Sequence, residues 1–104
     1  IPDFLAPYKL AILPLVKKDG LSEYAKKLHN DLKVHYNIAY DEKDAVGRRY
    51  RRQDAVGTPF CITVDHQTKD DKTVTLRNRD TMEQQRLPIE MLQETLKKHF
   101  SMRF

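Results

Sequence analysis

Apolar and polar positions in these 104 residues follow two periods, one of strands and one of helices, in a regular succession. Tyr8-Lys9-Leu10-Ala11-Ile12-Leu13 is a compact apolar run that Pro14 stops, which predicts a buried strand ending there. The polar turn Lys17-Lys18-Asp19-Gly20 follows. Leu21, Tyr24, Ala25, Leu28 and Leu32 then recur at helical spacing, with lysines and Asp31 on the other face; either Asp19 or Ser22 suits the cap. Ile38-Ala39-Tyr40 reads as a short second strand, leading into the charged Asp41-Glu42-Lys43-Asp44.

A second helix is predicted from Asp44, which caps its start, to Gly57, which supplies the left-handed residue beyond its end. On a 3.6-residue wheel Val46, Tyr50 and Gln53 share one side, and Arg48, Arg49, Arg51 and Arg52 spread over the opposite, cationic side. Thr58-Pro59 turns the chain into a third strand, Phe60-Cys61-Ile62-Thr63-Val64, and 65–72 reads as a polar hairpin loop. Thr73-Val74-Thr75-Leu76-Arg77-Asn78 alternates as a half-buried strand, 84–87 is a short fifth strand, and Pro88 suits the first turn of a last helix with Ile89, Leu92, Leu96 and Phe100 inward. The order β-α-β-α-β-β-β-α places strands one, two and three in parallel and strand four antiparallel. The expected fold is α/β: a three-layer α/β/α domain with three helices and a five-stranded mixed sheet in the order 2-1-3-4-5.

Composition narrows the partners. A chain of 104 residues supports one core, here expected over 8–104 behind a lead-in segment, 1–7. No apolar run approaches the roughly 20 residues that span a bilayer, and no secretory leader precedes the first strand. The start, Ile-Pro-Asp, predicts a piece of a longer protein. One cysteine, Cys61, forms no internal disulfide and suits a reduced, cytoplasmic setting, where the thiol acts as a small hydrophobe. A formal charge of +4 is compatible with nucleic acid, and the clustering of four arginines within five residues makes that reading sharper. Read alone, the cluster is equally a solvated face.

In an open α/β sheet, ligands gather at the carboxyl ends of the parallel strands. Here that edge comprises Pro14-Leu15-Val16, Asp41-Glu42-Lys43-Asp44 and residues 65–68, with the amino end of the arginine helix aimed at it and Arg77 expected beside the end of strand three. Apolar groups for stacking, carboxylates and arginines for base edges, and lysine for phosphate would suit a single-stranded RNA loop. Arg77 and Arg79 have a plainer reading as well, in which one of them pairs with Asp80 or Glu83. His29, His35, His66 and His99 lack metal-ligand spacing, and there is no glycine-rich phosphate loop or nucleophile set, so no metal and no catalysis are expected within these residues.

The runs Asp44-Ala45-Val46-Gly47-Arg48-Arg49-Tyr50 and Asp54-Ala55-Val56-Gly57-Thr58-Pro59-Phe60 resemble the anticodon-binding domain of class II aminoacyl-tRNA synthetases. So do 73–84 and the opening Leu5-Ala6-Pro7-Tyr8-Lys9-Leu10-Ala11-Ile12-Leu13-Pro14-Leu15. Gly-Arg-Arg-Tyr, Val64-Asp65 and Arg-Asn-Arg-Asp-Thr-Met are most similar to the homodimeric, bacterial glycyl branch rather than the histidyl, threonyl or prolyl ones. The resemblance implies a domain that grips the anticodon stem-loop of tRNA(Gly), while an upstream catalytic domain uses ATP and Mg2+ to attach glycine. It also implies base contacts at Leu15, Lys43, Thr68 and Arg77, phosphate contacts at Arg48 and Arg49, and a further tRNA contact at Arg79. Asp65 would accept from the N4 amino group of an anticodon cytosine. Three alternatives stand beside it: the anticodon domain of a threonyl, prolyl or histidyl relative, a non-catalytic domain of the same fold, as in an accessory subunit of a mitochondrial DNA polymerase, and a small-molecule enzyme using the strand-end crevice.

Overall fold

Alternation along two central strands divides the molecule into unequal halves. The computed structural model describes residues 9–40, 46–55 and 57–101. Their order is β1 (Leu10–Pro14), α1 (Leu21–Leu32), β2 (Ile38–Tyr40), α2 (Val46–Ala55), β3 (Phe60–Val64), α3 (His66–Asp71), β4 (Thr73–Asn78), β5 (Gln84–Pro88) and α4 (Ile89–Ser101). The sheet runs β2-β1-β3-β4-β5, parallel from β2 to β3 and antiparallel across β3-β4-β5. This is the mixed five-stranded sheet expected from the pattern.

Leu10, Ile12, Phe60, Ile62, Val64, Val74, Leu76 and Leu87 point to one face and pack against Leu21, Ala25, Leu28 and Leu32 of α1 and Leu92 and Leu96 of α4. Each such side chain, once fully buried, contributes about 1.5–3 kcal/mol, so this layer carries most of the stability. Among the described residues, the buried apolar cluster on the other face is Ala11, Leu13 and Cys61, with Ala39 and Tyr50 against them. Small residues there let α2 lie close to β1 and β3, and Cys61 is a buried thiol outside any disulfide, 1% exposed.

Several local expectations are corrected. The polar stretch after β3 is a helix rather than a loop, so the described residues hold four helices, not three. Asp65 caps α3 by a reciprocal box: its carboxylate accepts from the Thr68 amide while the Thr68 hydroxyl accepts from the Asp65 amide at 3.1 Å. Lys72, at φ 58°, ends it. Neither Asp19 nor Ser22 caps α1; Gly20 occupies that position with φ 77°, and Ser22 is buried inside the first turn. β1 ends at Pro14 as expected, the proline pairing with Val64, whereas Pro88 is the last residue of β5 rather than part of the first turn of α4, which begins at Ile89. A proline nitrogen needs no ladder acceptor, so either strand end tolerates it. Asp44 and the 41–45 stretch lie outside the described residues. The left-handed residue after α2 is Gly57, at φ 84°, as expected.

Candidate nucleic-acid interface

The arginine helix faces the sheet differently from the wheel reading. Arg48, Arg51 and Arg52 are exposed, but Arg49 is 2% exposed and points inward beside Tyr50 and Gln53. Positions 49 and 53 are one helical turn apart, so the inward stripe is centred one residue away from the expected one. The Arg49 guanidinium donates from Nη1 to the Pro14 carbonyl and from Nη2 to the Leu15 carbonyl at 2.9 Å. A planar fork with five donors suits two adjacent carbonyls, and these two close the carboxyl end of β1. Leu15 is also held by its amide, which donates to Val64 at 2.8 Å.

Beside it, the Tyr50 hydroxyl is hydrogen-bonded to Thr63, and burial pushes it up from the ordinary tyrosine range. The Arg77 guanidinium lies over the Tyr50 ring, 4.9 Å from its centroid, with Nη2 3.2 Å from the Met82 sulfur. Arg77 is itself 6% exposed. Its register corrects the sequence reading: it pairs with Cys61, near the start of β3, and not with the strand's end. Antiparallel pairing that sets Phe60 against Asn78 leaves no other place for it.

The group that does stand at the end of β3 is Arg86 on β5. It donates to Thr73, to Thr75 at 3.3 Å and to the Asp65 carboxylate. Sequence reading passed over it, since only the Thr75–Arg86 register brings it across β4. Burial pushes the Asp65 carboxyl up, but bonds from Arg86 and Thr68 outweigh burial and hold it below the usual carboxylate range. A depressed carboxyl contributes stability above its unfolded pKa of about 3.9 and loses it as pH falls through the folded value. Asp65→Asn, which keeps an acceptor for Thr68 but not the charge, is therefore expected to flatten the loss of stability between about pH 5 and pH 2, as read by urea titrations across that range.

The expected residues divide as follows. Leu15, Arg49, Asp65 and Thr68 share the carboxyl edge; Thr68 is fully buried and used by the α3 cap. Arg48 lies exposed on the first turns of α2. Arg77 sits on the α2 face at mid-sheet. Arg79 is at the far end, in the β4–β5 turn, with its guanidinium paired with Asp80 at 3.1 Å, the plainer of its two readings. Lys43 lies outside the described residues. Exposed Val16, Lys17 and Lys18 stand at the edge in the loop after β1, and their neighbour Asp19 meets α3: its carboxylate accepts from His66 at 2.9 Å and its carbonyl from Lys69. The His66 bond holds the Asp19 carboxyl below its usual range. Among the described residues, no three His, Cys, Asp or Glu side chains stand together as metal ligands.

The edge thus combines exposed cations, a rigid β1 end and hydrogen-bonding side chains on three adjacent strands. Residues 9–99 match the family described as anticodon binding domain. The chain belongs to that family. Among curated proteins it is 62% identical over 86 residues to a glycine–tRNA ligase of Rhodopirellula baltica, covering 83% of this chain and 16% of that protein. It is 58% identical over 84 residues to a glycine–tRNA ligase of Treponema denticola, covering 81% of this chain and 19% of the relative. The chain therefore spans a fifth or less of the curated relatives it matches. The anticodon-binding fold is shared with the RNA binding domain of a threonyl-tRNA synthetase from Cryptosporidium parvum, at a TM-score of 0.82 and 23% identity, over 94% of this chain and 25% of that one.

Proposed function

We propose that this anticodon-binding domain belongs to a glycine–tRNA ligase and holds the anticodon stem-loop of tRNA(Gly) at the carboxyl edge of β1 and β3. The observation that carries the reading is the identity of 62% and 58% to glycine–tRNA ligases over more than four-fifths of the chain. Such identity is far above the 23% shared with the threonyl structure. The exposed arginines of α2 and the lysines after β1 supply phosphate attraction, and the polar groups at the strand ends supply base contacts. Glycine attachment would take place in a catalytic domain elsewhere in a full-length, homodimeric, cytoplasmic ligase. ATP and Mg2+ would be held there.

The test is a titration of a tRNA(Gly) anticodon stem-loop against one whose anticodon cytosines are replaced, and against duplex DNA. Cognate RNA is expected to bind best, by about 1–3 kcal/mol per lost base contact. Equal binding to all three would overturn the reading, and a preference for the duplex would favour the polymerase-accessory alternative. Arg48→Ala is expected to weaken every stem-loop alike and to lower the log–log salt slope by about 0.7, as one single-strand phosphate contact requires.

A further inference from the structure

Two adjacent residues at the end of the β1–α1 loop have left-handed backbones, Asp19 at φ 61° and Gly20 at φ 77°. Gly20 adopts this without steric cost, and no atom lies within 4 Å of where its Cβ would stand. Asp19 does not. A non-glycine residue persists there when its surroundings over-determine it. The Asp19 carboxylate and carbonyl are held by one neighbour, α3: His66 Nε2 meets the carboxylate at 2.9 Å, and Lys69 Nζ donates to the carbonyl.

The other end of the same loop is fixed by buried and half-buried bonds. Arg49 holds the Pro14 and Leu15 carbonyls, and the Leu15 amide donates to Val64. Between these anchors lie Val16, 38% exposed, and Lys17 and Lys18, both exposed. Their side chains face solvent, and the Lys18 carbonyl is fixed by accepting from the Leu21 amide at 3.1 Å. A short loop pinned at both ends and crowned by two lysines costs little further ordering when it meets a polyanion.

We propose that His66 and Lys69 are positioning residues, a clasp that fixes Asp19 so that Lys17 and Lys18 form a preorganised site for two phosphates of a bound RNA loop. The proposal rests on the anticodon-loop reading of the carboxyl edge and extends it to His66 and Lys69, which that reading does not use. His66 and Lys69 themselves need not touch RNA. The clasp links α3 to the β1–α1 loop from outside the sheet, so its loss leaves the hydrophobic layers untouched.

The experiment combines amide relaxation with stem-loop titration on the 104-residue protein, using a tRNA(Gly) anticodon stem-loop. In wild type the amides of residues 17–20 are expected to show order parameters near 0.85, falling below about 0.6 in His66→Ala. The double substitution Lys17→Ala/Lys18→Ala should weaken stem-loop binding about ten-fold and lower the salt slope by about 1.4, twice the single-phosphate value. His66→Ala should weaken binding about three-fold, and in that background the lysine substitutions should cost less than in wild type, a coupling that two independent sites would not show. His66→Gln, which can still donate to Asp19, should restore both readouts.

Unchanged order parameters in His66→Ala would overturn the clasp whatever the RNA does. Altered order parameters with unchanged affinity, or strict additivity with the lysines, would overturn the phosphate-positioning role. A wild-type protein that bound no stem-loop would overturn the anticodon reading together with that role. The relaxation data would then still report whether the clasp orders the loop, so the two failures are distinguishable.

Discussion

Arg49→Ala is expected to lower the unfolding free energy by about 2–5 kcal/mol, because it leaves the Pro14 and Leu15 carbonyls without the donor they share, and each orphaned buried acceptor costs about 1–3 kcal/mol. Relief of a buried charge offsets part of this. Arg49→Met would keep that relief and much of the packing volume, yet still orphan both carbonyls, so it is not expected to restore stability fully. Arg49→Lys should recover one of the two bonds, since an ammonium lacks the planar fork. The consequence for binding is separate. At temperatures where the variant remains folded, the end of β1 loses its tie to α2, and stem-loop affinity falls although the 2%-exposed side chain presents almost nothing to RNA. Urea denaturation and a stem-loop titration on the same sample measure both effects.

Ile62→Ala is expected to cost about 3–4 kcal/mol, within the range for removing a large buried aliphatic group and leaving a cavity. Ile62 is fully buried at the centre of the sheet, flanked in register by Ile12 and Leu76 and facing the layer formed by α1 and α4. For a domain of this length, a loss of that size lowers the midpoint of thermal unfolding by about 15–25 °C. The cavity opens on the side away from α2, so stem-loop affinity measured well below the new midpoint should stay near wild type. The pair of variants therefore separates two sources of lost binding. If folded Ile62→Ala bound as poorly as folded Arg49→Ala, loss of general rigidity would account for both, and the specific tie at β1 would not.

The central strands were legible because fully buried strands write themselves as continuous apolar runs, and Leu10-Ala11-Ile12-Leu13 and Phe60-Cys61-Ile62-Thr63-Val64 do so without ambiguity. Helices α1 and α4 were legible for the complementary reason, an apolar stripe at 3.6-residue spacing. Helix α3 has six residues and no apolar periodicity, so it read as a loop; the one local signal for it was the cap, Asp65 with Thr68 three positions later. Arg49 was hidden by its own chemistry. Among four arginines nothing local distinguishes the one whose guanidinium meets two carbonyls 34 and 35 positions earlier. Arg86 and Arg77 turned on register, a long-range quantity. The carboxyl edge of the parallel strands was visible in the topology, but which cation stands at it and which stacks on Tyr50 followed from the registers that pair Phe60 with Asn78 and Thr75 with Arg86.

The single thiol of the chain lies on β3, against α2, where an alkylating reagent in solution has no approach while the layers are closed. Its modification must wait for α2 to lift or the sheet to part, so the labelling rate counts openings of the thinner half of the molecule. Comparing that count with and without RNA would show how far the bound loop locks α2 down, with no foreign probe introduced.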